Sequence, residues 1–295
     1  MSGGVVSDSA EDRVPPRVGV LGGGRMGAGI AHAFLVAGSA VAVVERDESQ
    51  ADAAENRVVT AAQVSIDRGS VAESLESLTD RLDVGTDDAL FDECDLVIEA
   101  VPEDFALKVA SLTRIENRVG AEVPIATNTS SISIDDLAGE LRFPTRLLGL
   151  HFFNPVPASE LVEIVVGAQA EPGIVESAQG WVAALGKTPV TVRNSPGFAS
   201  SRLGLVIGLE SIRMLEEGVA SAEDIDAAMV LGYKHPVGPL RLTDIVGLDV
   251  RLGIAEYLHE QLGERFAPPQ LLRDKVAAGE LGRKSGKGFF TWDEK

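Results

Sequence analysis

Arg17-Val18-Gly19-Val20-Leu21-Gly22-Gly23-Gly24-Arg25-Met26-Gly27, residues 17–27, decides the fold. The first five residues are a short apolar run, and residues 26–37 repeat apolar side chains at helical spacing. The stretch therefore reads as a buried strand, a glycine turn and a helix. The turn has the form G-x-G-x-x-G. Gly22 permits the tight bend, Gly24 lets the backbone approach a pyrophosphate, and Gly27 lets the helix pack closely on the strand. Met26 sits inside the same turn, where the helix N-terminus offers unpaired N–H groups to phosphates. A second strand at 40–44 leads into Glu45, 21 residues after Gly24. That is where an acid accepts hydrogen bonds from adenosine ribose hydroxyls. A carboxylate there also repels a 2′-phosphate, which favours NAD over NADP.

Outward from this stretch, strand and helix patterns alternate. Helical spacing covers about 49–80, with Gly69 as a break, then 105–119 and 172–185. Buried-strand runs fall at 96–100, 124–127, 147–150, 161–166 and 189–192. The alternation predicts a doubly wound α/β sheet of Rossmann type over 16–193, after a mobile tail at 1–15. Asn194-Ser195-Pro196-Gly197 is a turn signal. Beyond it the apolar spacing is helical, which predicts an all-helical C-terminal domain over 194–295. Ser221 opens one helix, with Asp224 placed for a capping-box bond, and 238–263 reads as another.

Composition narrows the function classes. Apolar residues make up 45% and charged residues 24%, which fits a folded globular chain. Twenty-six basic residues against 45 acidic ones give a net charge of −19, which argues against nucleic acid as a partner. Cys94 is the only cysteine, so no intrachain disulfide forms; with no secretory signal and no membrane-spanning run, the expectation is a cytoplasmic protein away from membranes. No cluster with metal-ligand spacing stands out.

Of four histidines, His151 is set apart, because it follows the strand at 147–150 and open α/β sheets bind ligands at such strand ends. A strand-end histidine can be structural or catalytic. Glu163, 12 residues on and on another strand, could fix its tautomer and raise its basicity, although spacing alone does not show that they meet. Asn128-Thr129-Ser130-Ser131 follows the strand at 124–127. It reads equally as a helix cap and as a hydroxyl beside a substrate alcohol. Glu103 could approach the cofactor or simply begin the next helix.

Taken together, the motifs resemble the L-3-hydroxyacyl-CoA dehydrogenase family, in particular the short 3-hydroxybutyryl-CoA dehydrogenases. They run in order through GGGRMGAGIA (22–31), DLVIEAVPE (95–103), NTSS (128–131), HFFNPVP (151–157), LVE (161–163), PGF (196–198), EDIDAAM (223–229), GPL (238–240), DIVGLD (244–249) and GRKSGKGF (282–289). The resemblance implies NAD-dependent oxidation of an L-3-hydroxyacyl-CoA, with acyl-CoA as substrate and a homodimer formed through the helical domain. It implies His151 as the base, Glu163 as its paired acid and Ser130 at the substrate hydroxyl. It places Glu45, Glu103, Lys108, Asn128, Asn154 and Lys284 near the cofactor, and Arg68 against coenzyme A.

One position departs from the family pattern. Ser201 stands where relatives usually carry Asn, and a serine is shorter with a single donor. The departure keeps two other readings open. One is a related dehydrogenase acting on a hydroxy acid or polyol without CoA; the other is an NAD(H)-binding protein without catalysis.

Overall fold

The computed structural model describes residues 13–292. The predicted tail at 1–15 therefore lies, for residues 1–12, outside the described residues. The chain divides into two compact units that meet between Asn194 and Ser195.

The first unit is a sheet with helices on its faces. In chain order its elements are β1 (Arg17–Leu21), α1 (Arg25–Val36), β2 (Ala40–Val44), α2 (Glu48–Asp67), α3 (Leu75–Thr79), β3 (Leu82–Gly85), β4 (Leu96–Glu99), α4 (Phe105–Glu116), β5 (Ile125–Thr127), α5 (Ile134–Gly139), β6 (Leu147–Phe152), β7 (Leu161–Val166), α6 (Pro172–Ala184) and β8 (Thr188–Arg193). The strand order is β3-β2-β1-β4-β5-β6-β7-β8. The direction of winding reverses between β1 and β4, and the glycine turn after β1 opens at that crevice. β1, β2, β4, β5 and β6 are parallel and fully or almost fully buried, which is why each reads as an unbroken apolar run.

Two features differ from the alternation expected of the sequence. β3 was not anticipated: its Leu-Asp-Val-Gly pattern is half-buried and lies at the sheet edge, so it carries little periodic signal. β7 runs antiparallel to β6. The link at 153–160 holds no helix, and a parallel crossover needs roughly a dozen residues or more. The chain therefore turns back on itself. The ladder that results pairs His151 with Glu163 directly across the two strands.

The second unit packs α7 (Ser200–Glu216), α8 (Ala222–Ala227), α9 (Pro239–Val246), α10 (Leu248–Leu262) and α11 (Gln270–Ala277) around Leu205, Leu209, Ile212, Leu240, Leu248 and Leu258. Ser221 caps α8 by accepting from Asp224 N at 3.1 Å. The single helix predicted at 238–263 is in fact two, α9 and α10. Gly247 adopts φ +107°, a left-handed value that ends one helix and redirects the chain into the next. Asp244, fully buried on α9, accepts from the backbone N–H groups of Phe289 and Phe290 and from Trp292 Nε1, which ties down the chain after α11.

His32 on α1 is buried and meets Ser65 Oγ on α2 at 2.9 Å. Burial holds its pKa below the ordinary histidine value, and the nearby Lys187 ammonium pushes the same way. The folded protein thus binds this proton less readily than the unfolded chain. This contribution to stability is full above about pH 6.5 and is lost as pH falls through that value toward the lower folded pKa. His32→Gln is expected to flatten the fall in melting temperature between about pH 6.5 and 5, measured by calorimetry across that range.

Candidate active site

The glycine turn has the geometry of a phosphate cradle. Gly22 adopts φ +95°, and its N–H donates to Val44 O at 2.9 Å. A Cβ on Gly27 would lie 1.7 Å from Gly22 O, so any side chain there would push the turn off the helix. A Cβ on Gly24 would meet nothing within 4 Å: that side is open to a ligand. Gly24 is the N-cap of α1 and brings no side-chain cap, so the N–H groups of the first turn keep their polarity for an incoming anion. Glu45 closes the loop, with Oε1 accepting from Gly23 N at 2.7 Å and Oε2 from Arg46 N at 3.1 Å. Gly22, Gly24, Met26, Glu45, Asn128 and Ser130 all line one cavity of about 600 Å³. An acid fixed beside an open glycine turn, over a cavity of this size, fits an adenine dinucleotide.

A buried polar network is bonded to the lining residues Val101 and Glu103. Glu99 ends β4 and Lys108 lies on α4; both side chains are 0% exposed. Lys108 Nζ donates to Glu99 Oε1 at 2.8 Å and to Val101 O at 3.2 Å. Val101 N and Thr127 Oγ1 also donate to the Glu99 carboxylate. Burial pushes the Glu99 carboxyl up, and these donors pull only part of the way back. Lys108 Nζ also lies 3.6 Å from Glu103 Oε2. Glu103 Oε1 in turn accepts from Thr129 Oγ1, Ser130 N, Ser131 N and Ser131 Oγ. The run 128–131 is therefore not a helix cap. Ser133 caps α5, accepting from Asp136 N at 3.2 Å, and Asp104 caps α4. The run is a turn clamped by Glu103, which holds Ser130 at the cavity wall. Glu99 was missed in the sequence reading. Its signal is a lone acid closing an apolar strand, nine residues before a lysine.

The third part is the pair across β6 and β7. His151 Nδ1 lies 2.8 Å from Glu163 Oε2, and the two residues are only 4% and 1% exposed. The His151 ring also stacks at a tilt on Phe153, with centroids 4.4 Å apart. Asn128 Oδ1 accepts from Phe152 N at 2.9 Å, which fastens the end of β6 to the turn after β5. Asn154 follows β6 in a cis peptide with Pro155. Because β1, β4, β5 and β6 are parallel, the glycine turn, Glu99, Asn128 and His151 all lie at the same edge of the sheet.

Comparison with known proteins agrees with this layout. A family model described as the NAD binding domain of 3-hydroxyacyl-CoA dehydrogenase matches residues 17–195, and one for the C-terminal domain matches 197–292. The chain belongs to the 3-hydroxyacyl-CoA dehydrogenase family. A 3-hydroxybutyryl-CoA dehydrogenase of Mycobacterium tuberculosis is 42% identical over 282 residues, covering 94% of this chain and 98% of the relative. A probable 3-hydroxybutyryl-CoA dehydrogenase of Deinococcus radiodurans is 38% identical over 277 residues, covering 94% and 100%. The crystal structure of (S)-3-hydroxybutyryl-CoA dehydrogenase from Ralstonia eutropha superposes with a TM-score of 0.90 at 39% identity, over 95% of this chain and all of that one. This family member is an oxidoreductase that uses NAD.

Three further predicted site residues are Arg68, Ser201 and Lys284. Arg68, the C-cap of α2, is exposed and forms no ion pair among the described residues. It does not line the cavity. Ser201 and Lys284 belong to the helical unit. Ser201 lies in the first turn of α7, and Lys284 Nζ pairs with Asp249 Oδ2 at 2.6 Å. Among the described residues, no group of three or more histidine, cysteine or acidic side chains could hold a metal ion, and no helix is long and apolar enough to cross a membrane.

Glu99→Leu strands the Lys108 ammonium in the interior, so a loss of about 3–5 kcal/mol is expected. Adding Lys108→Met removes the stranded charge and should restore most of that loss. Urea denaturation of both variants checks this. Recovery in the double variant marks the pair as a matched charge rather than a packing element.

Proposed function

We propose that the protein oxidises an L-3-hydroxyacyl-CoA, with the four-carbon 3-hydroxybutyryl-CoA as its substrate, to the 3-ketoacyl-CoA, and that it works in both directions. The observation that carries this reading is the buried contact between His151 Nδ1 and Glu163 Oε2 at the edge where the dinucleotide cavity opens. A carboxylate on Nδ1 makes that nitrogen the donor and leaves Nε2 as the basic nitrogen of the neutral ring. His151 then takes the proton of the 3-hydroxyl as the C3 hydride departs. NAD⁺, when bound, supplies the hydride acceptor. Glu163 stabilises the imidazolium that forms, and Ser130 holds the oxygen through its hydroxyl. In reverse, the imidazolium returns its proton to the carbonyl oxygen as the hydride arrives at C3.

The surroundings support the rest of the reading. Glu45 occupies the position that disfavours a 2′-phosphate. Arg68, exposed and without an acid, supplies positive charge for the phosphates of coenzyme A. The helical unit leaves Val219, Leu231 and Tyr233 60%, 69% and 76% exposed, apolar surface that a second copy of the chain covers in a homodimer. Light scattering is expected to give twice the 31.0 kDa of one chain. The single buried Cys94, whose thiol burial pushes up to about 11, suits a reducing cytoplasm.

The test is NADH oxidation with acetoacetyl-CoA. His151→Ala is expected to lower kcat by roughly 10²–10⁴-fold while NADH affinity is nearly kept. Glu163→Gln should lower kcat less and displace the pH–rate profile. An unchanged profile would separate Glu163 from the base, and no turnover by the wild type would remove the reading altogether.

A further inference from the structure

The link at 153–160, between β6 and β7, has one apolar anchor: of these residues only Val156 is buried, at 2% exposed. Lys187 supplies a second hold. Its Nζ donates to Val156 O at 2.7 Å and to Ser159 O at 2.5 Å. Both partners are backbone carbonyls of the link, and burial holds this ammonium below the ordinary lysine value. The backbone of Lys187 is fixed as well. Gly186 adopts φ +70° at the end of α6, its N–H donates to Ala183 O at 2.9 Å, and Lys187 N donates to Val182 O at 3.1 Å. This double closure is a Schellman motif, so the lysine stem starts from a defined place.

The link touches two parts of the site. At its start the Phe153 ring lies against His151, with centroids 4.4 Å apart. Further on, Val156 sits on α1, the helix that begins at the glycine turn. A Cβ on Gly29 would lie 2.9 Å from Val156 Cγ2 and 3.0 Å from Val156 Cβ, so α1 and the link meet there with no room for a side chain. The link therefore runs from the histidine to the helix of the dinucleotide crevice. Lys187 holds the carbonyl of the very residue that meets that helix.

We propose that Lys187 is a positioning residue: by gripping the Val156 and Ser159 carbonyls it keeps the link seated on α1, and so sets the His151 imidazole relative to the dinucleotide crevice. This rests on the reading above, in which His151 takes the substrate proton. Lys187 does not line the dinucleotide cavity; it acts through Val156 and Phe153. Bonds from an ammonium are stronger than neutral ones, which suits a segment with a single apolar anchor. A misplacement of about 1 Å at reacting groups costs up to about 10²-fold in rate, so a loosened link slows hydride transfer before it weakens cofactor binding at the glycine turn.

The experiment follows NADH oxidation by saturating acetoacetyl-CoA in a single turnover, by stopped-flow absorbance, with wild type, Lys187→Met, Lys187→Arg and Gly29→Ala. NADH affinity by fluorescence and melting curves accompany each. Lys187→Met keeps the apolar stem and loses the donors; its hydride-transfer rate is expected to fall roughly 10–100-fold while NADH affinity is nearly kept. Lys187→Arg, which keeps charged donors, should recover most of that rate. Gly29→Ala is the independent arm. Alanine favours the helix, so the fold is kept, but its Cβ pushes on Val156 and the rate should fall in the same way. A Lys187→Met protein that melts lower yet transfers hydride at the wild-type rate would overturn the proposal and leave Lys187 as a stabilising contact only. If Lys187→Met does not fold, Gly29→Ala decides: a wild-type rate overturns the proposal, and a slowed rate with NADH affinity kept supports it. Absence of turnover by the wild type would instead overturn the dehydrogenase reading, and the proposal with it.

Discussion

The contact between His151 and Glu163 exists because β7 runs against β6. In a sheet wound by helical crossovers, residues separated by a dozen positions are carried apart by the connecting helix. Here the link at 153–160 is too short for that, so the chain reverses and the ladder sets the two residues face to face. Cross-strand partners project on the same side of the sheet, which brings imidazole and carboxylate to 2.8 Å. Both are buried, so the carboxylate holds the ring where water competes poorly for either group. The same reversal leaves β6 parallel to β5, and its C-terminal end stays at the edge where the glycine turn opens. A single change of direction thus supplies the His151–Glu163 contact without disturbing the crevice at the glycine turn.

Behind that edge the protein commits charge to its interior. Glu99 and Lys108 lose all contact with water, a loss that their mutual attraction offsets only with the help of Val101 and Thr127. The pair fixes where the chain leaves β4. Glu103, four residues beyond Glu99, then gathers four donors from the turn at 129–131. The cofactor cavity and the turn carrying Ser130 are consequently parts of one hydrogen-bonded wall. Lys108 belongs to this wall through its buried ammonium rather than by reaching into the cavity.

Much of this was legible because the sequence states it locally. Residues 17–27 contain strand, turn and helix start in one continuous run, and the structure reproduces them with the φ value that Gly22 makes accessible. The buried parallel strands announce themselves as apolar runs for the same reason. What was not legible depends on pairing across the fold. β3 has too few buried positions to show a period. Gly247 gives no sign in a helical pattern that it takes a left-handed φ. Spacing could nominate Glu163 but could not place it, since its position opposite His151 is a property of strand direction. Glu99 reads as an ordinary strand end until Lys108 folds over it.

The acidity of the chain bears on how it holds an anionic cofactor. With a net charge of −19, a general field of positive charge is absent, so affinity for phosphates has to come from oriented dipoles at close range. The glycine turn provides this: Gly24 is open, and α1 begins there without a competing side-chain cap. Glu45 accepts the Gly23 N–H at 2.7 Å and so fixes a negative charge beside the glycine turn, where it disfavours a 2′-phosphate. Dipoles that fade within a helical turn attract the pyrophosphate without neutralising that carboxylate. Selection against the phosphorylated dinucleotide and retention of the pyrophosphate can therefore coexist a few ångströms apart in a protein whose overall charge favours neither.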